Sequence, residues 1–268
     1  MSKIENDKYY TPPDLAKYCV EKAKEIIGED NITEYIEPSA GAGVFLDYLD
    51  KPYQAYDVEP EDKRITKADW LTVDLEYKKG RCVIGNPPFG RGNSSSMAFY
   101  KKSVNICDYI VFILPISQLD NNVQLYDFDL IYSESLGARE YSNVTLECCL
   151  NIYQRPLNHK LNSKPNYKLQ DVQIIEKRRD GSNKKIPEGY DYAMGTFGAG
   201  CVGKQIQSQG QYALECYFYI HNDMYKDKVL EVLKTTDWKL LSKGISGTYR
   251  LPQWKIYKYL KEQISELK

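Results

Sequence analysis

The sequence predicts an α/β protein in which a mostly parallel sheet is followed by a smaller α+β region. Continuous apolar runs at 82–85 and 108–115 suit strands covered on both faces, as parallel sheets require. A helical pattern at 11–28 precedes these runs, and beyond residue 156 the chain becomes polar before its patterning resumes. We therefore predict two domains, residues 1–156 and 157–268.

The composition is that of an ordinary globular protein, with 42% hydrophobic and 27% charged residues in 268. No run approaches the length of a membrane span, and residues 1–8 lack the apolar core of a secretory signal. We expect a cytoplasmic protein with no membrane partner. The seven cysteines contain no C-x-x-C pair and the two histidines lie far apart, so we expect reduced core cysteines and no metal.

Charge is distributed unevenly along the chain. Residues 1–150 carry 16 Lys and Arg against 25 Asp and Glu, a balance of −9, whereas residues 151–268 carry 20 against 12, a balance of +8. The basic half suits a polyanion such as nucleic acid, and a solvated basic surface is the alternative. Its densest cluster surrounds a predicted turn at Asp180-Gly181 and suggests a basic hairpin or loop. The residues of this cluster that we assign to DNA contact are Lys177, Arg178, Arg179, Lys184 and Lys185.

A first helix is predicted to begin at Thr11-Pro12-Pro13-Asp14. Thr11 suits the N-cap, Pro12 the first helical position and Asp14 the first turn, while Gly28 suits the C-terminal cap. The exposed segment 9–12 before this helix is placed to line a cofactor pocket at the helix N-terminus.

A first strand ends at Tyr35-Ile36 and leads into the segment EPSAGAGVF at 37–45. Gly41 and Gly43 allow a ligand to approach the backbone where a strand turns into a helix. No third glycine follows at dinucleotide spacing. We therefore favour a loop that places the Glu37 carboxylate near a ligand's ammonium group over a pyrophosphate loop.

A second strand at 53–56 ends at Asp57, the position where nucleotide-binding sheets accept ribose hydroxyls. Further on, Asp69 can accept from an adenine amine and Trp70 can stack on the ring. The alternatives are that Asp57 and Asp69 cap loops and that Trp70 belongs to the core.

The tetrapeptide Asn86-Pro87-Pro88-Phe89 ends the buried strand at 82–85, and the chain is organised around it. Two successive prolines remove backbone donors and restrict φ, so nearby carbonyls are held in fixed directions. Asn86 adds a side-chain acceptor and Phe89 an aromatic face, a combination that suits a planar base with an exocyclic amine. A proline-stiffened loop without a ligand is the alternative.

Later segments complete the predicted fold. Strands are expected at 108–115, 130–133, 144–153 and 212–220, with a hairpin closing the sheet, and helices at 228–234 and 252–267.

These motifs, in this order and over residues 9–155, resemble the gamma-class S-adenosylmethionine-dependent DNA adenine methyltransferases of restriction-modification systems. The resemblance implies a Rossmann-like class I methyltransferase sheet, mostly parallel with its last strand antiparallel. It also implies S-adenosyl-L-methionine as cofactor, with S-adenosyl-L-homocysteine as product. The cofactor-binding residues that we assign are Tyr10, Thr11, Pro12, Glu37, Pro38, Ser39, Ala40, Gly41, Gly43, Phe45, Asp57, Val58, Asp69 and Trp70.

The resemblance further implies a catalytic motif formed by Asn86, Pro87, Pro88 and Phe89, and an aromatic at Tyr153 packed against an adenine flipped out of double-stranded DNA. A monomer is expected, and a companion restriction endonuclease stays open. The alternatives are the same catalytic domain acting on RNA or on a protein glutamine, and a cofactor-binding subunit without activity.

Overall fold

A computed structural model describes residues 9–141, 144–179, 187–242 and 249–268. The chain divides into two compact units, Met1–Pro165 and Asn166–Lys268. Residues 157–165 stay with the first unit, since the Asn162 backbone N–H donates to the Asp127 carbonyl at 2.9 Å. The division at Pro156 expected from composition therefore lies earlier than the division between the units. No helix within the described ranges is long and apolar enough to span a bilayer.

The first unit contains two helices and a seven-stranded sheet. Its helices are α1 Pro13–Ile27 and α2 Ser94–Val104, and its strands are β1 Glu34–Glu37, β2 Tyr53–Asp57, β3 Thr66–Lys67, β4 Arg81–Gly85, β5 Tyr109–Pro115, β6 Asp129–Tyr141 and β7 Val144–Gln154. The spatial order is β3-β2-β1-β4-β5-β7-β6. Strands β1 to β5 pair in parallel, and β7 runs antiparallel to β5 and β6. This topology confirms the predicted fold, the Rossmann-like sheet of class I methyltransferases.

The strand order reverses between β1 and β4, because the chain builds outward to β3 and then returns to the other side of β1. In open α/β sheets, ligands bind outside the carboxyl ends of the strands at such a switch point. All five residues of β4 are buried, and so are six of the seven residues of β5. The buried strands thus hold a rigid edge from which the loops after β1, β2 and β4 project.

Helix α1 begins one residue later than predicted. Pro12 is its N-cap and Pro13 its first helical residue, and no side chain caps the helix. The Thr11 hydroxyl instead accepts a hydrogen bond from the Asn86 side chain. At the other end Gly28 closes the helix with a φ of 88°, and its N–H donates to the Lys24 carbonyl. A positive φ favours glycine there, as the sequence indicates.

The second unit has its own apolar core and a three-stranded antiparallel sheet. Its strands are β8 Val172–Arg178, β9 Tyr192–Gly195 and β10 Leu214–Ile220, and its helices are α3 Asp223–Thr235 and α4 Gln253–Gln263. The order is β8-β10-β9. Because β10 lies between β8 and β9, the basic segment after β8 does not join two adjacent strands of this sheet. The expected basic hairpin or loop stays a prediction. Its predicted turn, with Lys184 and Lys185, lies outside the described residues.

Candidate functional site

A cavity of about 330 Å³ opens where β1, β2 and β4 end. This volume falls within the range of small-molecule sites. The residues lining it are Tyr9, Tyr10, Thr11, Glu37, Pro38, Ser39, Ala40, Gly41, Ala42, Val44, Phe45, Asp57, Val58, Ala68, Asp69, Trp70, Asn86, Pro88 and Phe99. The segment before α1, the loops after four strands (β1, β2, β3 and β4) and helix α2 therefore share one site.

The Asn86 side chain has a fixed orientation in this cavity. Its amide nitrogen donates to the Tyr9 carbonyl at 3.1 Å and to the Thr11 hydroxyl at 3.1 Å. A backbone carbonyl can only accept, so the amide nitrogen must face Tyr9 and the amide oxygen must point away. That oxygen is buried and has no hydrogen-bond partner among the described residues. Asn86 thus presents one unused acceptor inside the protein.

The tetrapeptide is anchored on both sides of Pro87. The Asn86 backbone carbonyl accepts from the Ser39 hydroxyl at 3.2 Å, and the Pro88 carbonyl accepts from the Ser96 hydroxyl of α2 at 3.0 Å. Ser39 follows β1 and Ser96 is fully buried. The turn after β4 is therefore held between the glycine-containing loop that follows β1 and helix α2.

Phe89 does not line the cavity and is 7% exposed. Its ring stacks on the ring of Tyr9, with centroids 5.8 Å apart and planes inclined by 22°. The segment before α1 therefore contacts the tetrapeptide three times, through the Tyr9 carbonyl, the Thr11 hydroxyl and the Tyr9 ring.

Glu37 ends β1 and is 1% exposed. Its Oε2 has no hydrogen-bond partner among the described residues. Burial raises the pKa of this carboxyl well above its ordinary value, the charge of Asp57 raises it further, and Arg64 offsets part of the rise. A buried carboxyl of this kind gains most from a cationic hydrogen-bond donor, which would favour its charged form.

Asp57 holds the glycine loop at the end of β2. Its carboxylate accepts from the Gly41 N–H and from the Glu59 N–H, each at 2.8 Å. The loop needs left-handed backbone at Gly43, which has a φ of 79°. Each carboxylate oxygen can accept a further hydrogen bond, so Asp57 can cap the loop and still serve a ligand in the cavity.

For Asp69 and Trp70 the sequence left open a role in the cavity and a role in the fold, and each residue has both. Asp69 accepts from the Leu71 N–H at 3.0 Å and lines the cavity. Trp70 is 1% exposed, its ring tilts against Tyr56 at 5.9 Å, and its indole N–H has no partner among the described residues. Asp69 therefore caps its loop and Trp70 belongs to the core, and both line the cavity.

Tyr153 does not reach this cavity. It pairs with Ile110 near the amino end of β5, whereas the cavity lies at the carboxyl edge of the sheet. Its side chain is 0% exposed, its ring meets Tyr100 edge-on at 5.1 Å, and its hydroxyl accepts from Asn151. The antiparallel direction of β7 places this aromatic at the wrong end for contact with a base beside Asn86.

Other assigned residues lie close to the cavity without lining it. These are Pro12, Gly43 and Pro87. Conversely, the sequence analysis missed Ala42, Val44, Ala68 and Phe99, which do line it. Ala42 and Val44 lie inside the glycine motif, and Ala68 lies beside Asp69. Their closeness in sequence to assigned residues would have been enough to predict them. Phe99 belongs to α2, and nothing in its sequence pattern distinguishes it from a core aromatic.

In the second unit, Lys177 is half-buried, while Arg178 and Arg179 are exposed. Lys177 and Arg178 belong to β8, and the Arg179 N–H continues its ladder by donating to the Ala213 carbonyl.

No protein-family model and no curated protein matches the sequence. Solved structures do match. A proposed RNA methyltransferase from Pyrococcus horikoshii is 16% identical, with 57% of this chain and 90% of that chain covered and a TM-score of 0.44. The protein 1320 of Thermoplasma acidophilum is 19% identical, with 57% and 91% covered and a TM-score of 0.44.

A type I restriction-modification methyltransferase subunit from Streptococcus thermophilus is 13% identical, with 97% of this chain and 59% of that chain covered and a TM-score of 0.43. At these identities and TM-scores, the likeness carries no argument about activity. The chain has a Rossmann-like, mostly parallel sheet, and any function must be argued from its cavity.

Proposed function

We propose that the protein is an S-adenosylmethionine-dependent DNA methyltransferase of the gamma class that methylates the N6 amino group of adenine. One observation carries the proposal: the Asn86 amide oxygen is buried, oriented by Tyr9 and Thr11, and without a partner among the described residues. A buried acceptor in this state favours a ligand with an N–H donor, because an unsatisfied acceptor costs free energy.

The cavity residues fit the cofactor group by group. The unpartnered Glu37 carboxyl suits the α-ammonium group, Asp57 suits the ribose hydroxyls, and Asp69 suits the adenine amine. Trp70 adds an aromatic wall. When bound, S-adenosylmethionine supplies an electrophilic methyl group on its sulfonium sulfur and leaves as S-adenosylhomocysteine.

Asn86 and Pro87 prepare the target nitrogen. The Asn86 amide oxygen and the Pro87 carbonyl accept the two hydrogens of the flipped adenine's amine, and this geometry withdraws the nitrogen lone pair from ring conjugation. The bound cofactor would supply its methyl group to this nitrogen, and its sulfur would keep the electrons of the broken methyl–sulfur bond. The methylated nitrogen then loses a proton to water. These residues accelerate transfer by position and electrostatics, without a general base.

Phe89 is proposed to provide the platform for the flipped base. In the unliganded protein, Tyr9 stacks on this ring. The target adenine must therefore either displace the Tyr9 ring or use the other face of Phe89. The basic second unit is proposed to bind the DNA, with the protein acting in the cytoplasm as a monomer.

The same acceptor would also serve an adenine in RNA or the carboxamide of a protein glutamine. A direct experiment distinguishes them. The full chain is incubated with methyl-labelled S-adenosylmethionine and duplex DNA, RNA or protein, and the products are digested to nucleosides or amino acids. We expect label in N6-methyldeoxyadenosine, and none with Asn86→Ala. Label in a ribonucleoside or in methylglutamine would replace the DNA assignment, and cofactor binding without transfer to any substrate would favour a non-catalytic subunit.

A further inference from the structure

One end of the small sheet presents an aromatic ring beside an arginine. Phe197 follows β9 and forms an antiparallel bridge with Arg250. Phe197 is 42% exposed, and Arg250 is exposed as well. Side chains of directly opposed residues in an antiparallel pair project to the same side. The two side chains therefore start from neighbouring backbone positions on the same side of the sheet.

The register of the sheet adds a second arginine to this surface. The Thr196 N–H donates to the Leu214 carbonyl and the Arg179 N–H to the Ala213 carbonyl, each at 3.0 Å. The ladder with β9 thus extends to Leu214, the first residue of β10, and the ladder with β8 extends one residue further, to Ala213. One step along this register, Phe197 and Arg179 lie on opposite sides of Ala213. Strand alternation puts all three side chains on one face.

We call Arg179, Ala213, Phe197 and Arg250 the sheet-end row. All four residues are exposed. With neighbouring segments about 4.8 Å apart, the two arginines at its ends are separated by roughly 14 Å.

Phe197 is presented by a fixed backbone. The residues flanking the bridge, Thr196 and Leu251, are 0% exposed, and the Leu251 N–H donates to the Thr196 carbonyl at 2.9 Å. On the other side, the Gly198 N–H donates to the Tyr249 carbonyl at 2.9 Å. Phe197 is therefore held at a fixed backbone position and is 42% exposed, so a partner can contact its ring.

Neither arginine of the row is neutralised by an acidic residue within the described part of the chain. Over residues 166–179, 187–242 and 249–268, ion pairs join Lys226 to Asp191 and Lys258 to Glu262. Neither Arg179 nor Arg250 forms an ion pair with a described residue. Two free guanidinium groups beside an exposed aromatic ring match a partner with phosphates and bases.

We propose that the sheet-end row contacts duplex DNA at its major groove, with Arg179 and Arg250 on phosphates of the two strands and Phe197 directed at base edges between them. The proposal rests on the proposed function, which makes nucleic acid the substrate. A span of roughly 14 Å suits a major groove about 12 Å wide and exceeds a minor groove of about 6 Å. The deep, narrow major groove of duplex RNA would not admit the ring.

Fluorescence anisotropy with the full chain and labelled duplex DNA, measured from 50 to 200 mM salt, tests this assignment. Arg179→Ala and Arg250→Ala should each flatten the log–log salt slope by about 0.9, the effect of losing one phosphate contact. Phe197→Ala should weaken binding by about fivefold with little change in slope, since the exposed part of one apolar ring is lost. Phe197→Leu should recover part of the affinity.

The proposal replaces the sequence-based assignment of Arg178 to DNA contact, and Arg178→Ala is therefore the matched control. Arg178 is exposed and adjacent to Arg179, but strand alternation points it to the opposite face. This variant removes the same charge and should change the salt slope much less than Arg179→Ala. Thermal unfolding of every variant checks that the second unit remains folded.

Two results would overturn the assignment. One is row variants that match Arg178→Ala in affinity and slope; the other is duplex RNA bound as tightly as DNA through the same residues. Failure of the proposed function would look different, because DNA binding would depend on the row while no methyl group reached the DNA.

Discussion

Replacing Glu37 by Gln tests whether this buried carboxyl receives the cationic end of the cofactor. The unpartnered Oε2 should accept a charge-assisted hydrogen bond when the cofactor binds, worth about 1.5–3 kcal/mol. Glu37→Gln keeps the shape and loses the charge, so cofactor affinity should fall roughly 10- to 150-fold at pH 7. Isothermal titration calorimetry measures this directly.

Because the pKa of Glu37 is raised, the same calorimetric measurement can also report how many protons are released when the cofactor binds. Burial is the main cause of the rise, with the charge of Asp57 adding to it. A bound ammonium group would lower this pKa, so binding should release a proton at pH values between those of the bound and free carboxyl. Titrations in two buffers of different ionisation enthalpy report that proton, and Glu37→Gln should abolish it.

The same variant should change stability in the opposite direction to affinity. Because the folded protein holds the pKa of Glu37 above that of the unfolded chain, the unfolded state loses its proton first as pH rises. Wild-type stability therefore falls from the unfolded pKa, about 4.3, up to the folded pKa. Unliganded Glu37→Gln should lack this fall and melt higher than wild type at pH 7, with the difference shrinking toward pH 4.

Glu34 lies on the same strand and is the control, because its pKa is shifted in the opposite direction to that of Glu37. Burial alone would raise the pKa of Glu34, but hydrogen bonds from Lys78 and Arg81 make the net shift downward. Its contribution is present above the unfolded pKa and is lost as pH falls through the folded pKa. Glu34→Gln should therefore lower the melting temperature at pH 7 and leave cofactor affinity unchanged. If Glu37→Gln kept wild-type affinity and proton release, the assignment of Glu37 to the ammonium group would be refuted.

Three further substitutions test the rest of the site. Asn86→Ala should leave cofactor affinity near wild type and lower single-turnover transfer by roughly two orders of magnitude or more, and normal methylation would contradict the mechanism. Thr11→Val removes one of the two acceptors that orient the Asn86 amide; we expect about tenfold slower transfer, with Thr11→Ser restoring the rate, and equal rates for all three proteins would show that the Tyr9 carbonyl suffices. Tyr153→Phe leaves Asn151 one buried acceptor short and should cost about 1–2 kcal/mol in denaturant unfolding without changing transfer to DNA, whereas a specific loss of base binding would return Tyr153 to the active site.

The sequence predicted those parts of the site that local chemistry determines. Asn86 follows an apolar run and precedes two prolines, so its place at the end of β4 is visible within a few residues. The role of Thr11 was predicted wrongly, because capping is a local rule and its actual partner, Asn86, lies 75 residues away. Tyr153 was misjudged for a related reason: its position depends on the register between β7 and β5, which pairing of distant residues sets.

The described part of the chain has five buried side-chain atoms without a hydrogen-bond partner, and three of them belong to cavity residues: Glu37 Oε2, Trp70 Nε1 and Asn86 Oδ1. An unsatisfied buried polar group costs about 1–3 kcal/mol, so together these three cost several kcal/mol against a total stability of about 5–15 kcal/mol. Ordered water can offset part of that cost in the unliganded protein. The remaining cost is relieved by any ligand that offers donors to Glu37 and Asn86 and an acceptor to Trp70. Such a ligand binds the folded chain alone and stabilises it by about 2.7 kcal/mol at a hundred times its Kd. A ligand that binds in this cavity would explain why three unsatisfied polar atoms lie there together. Core packing alone gives no reason to place them in one cavity.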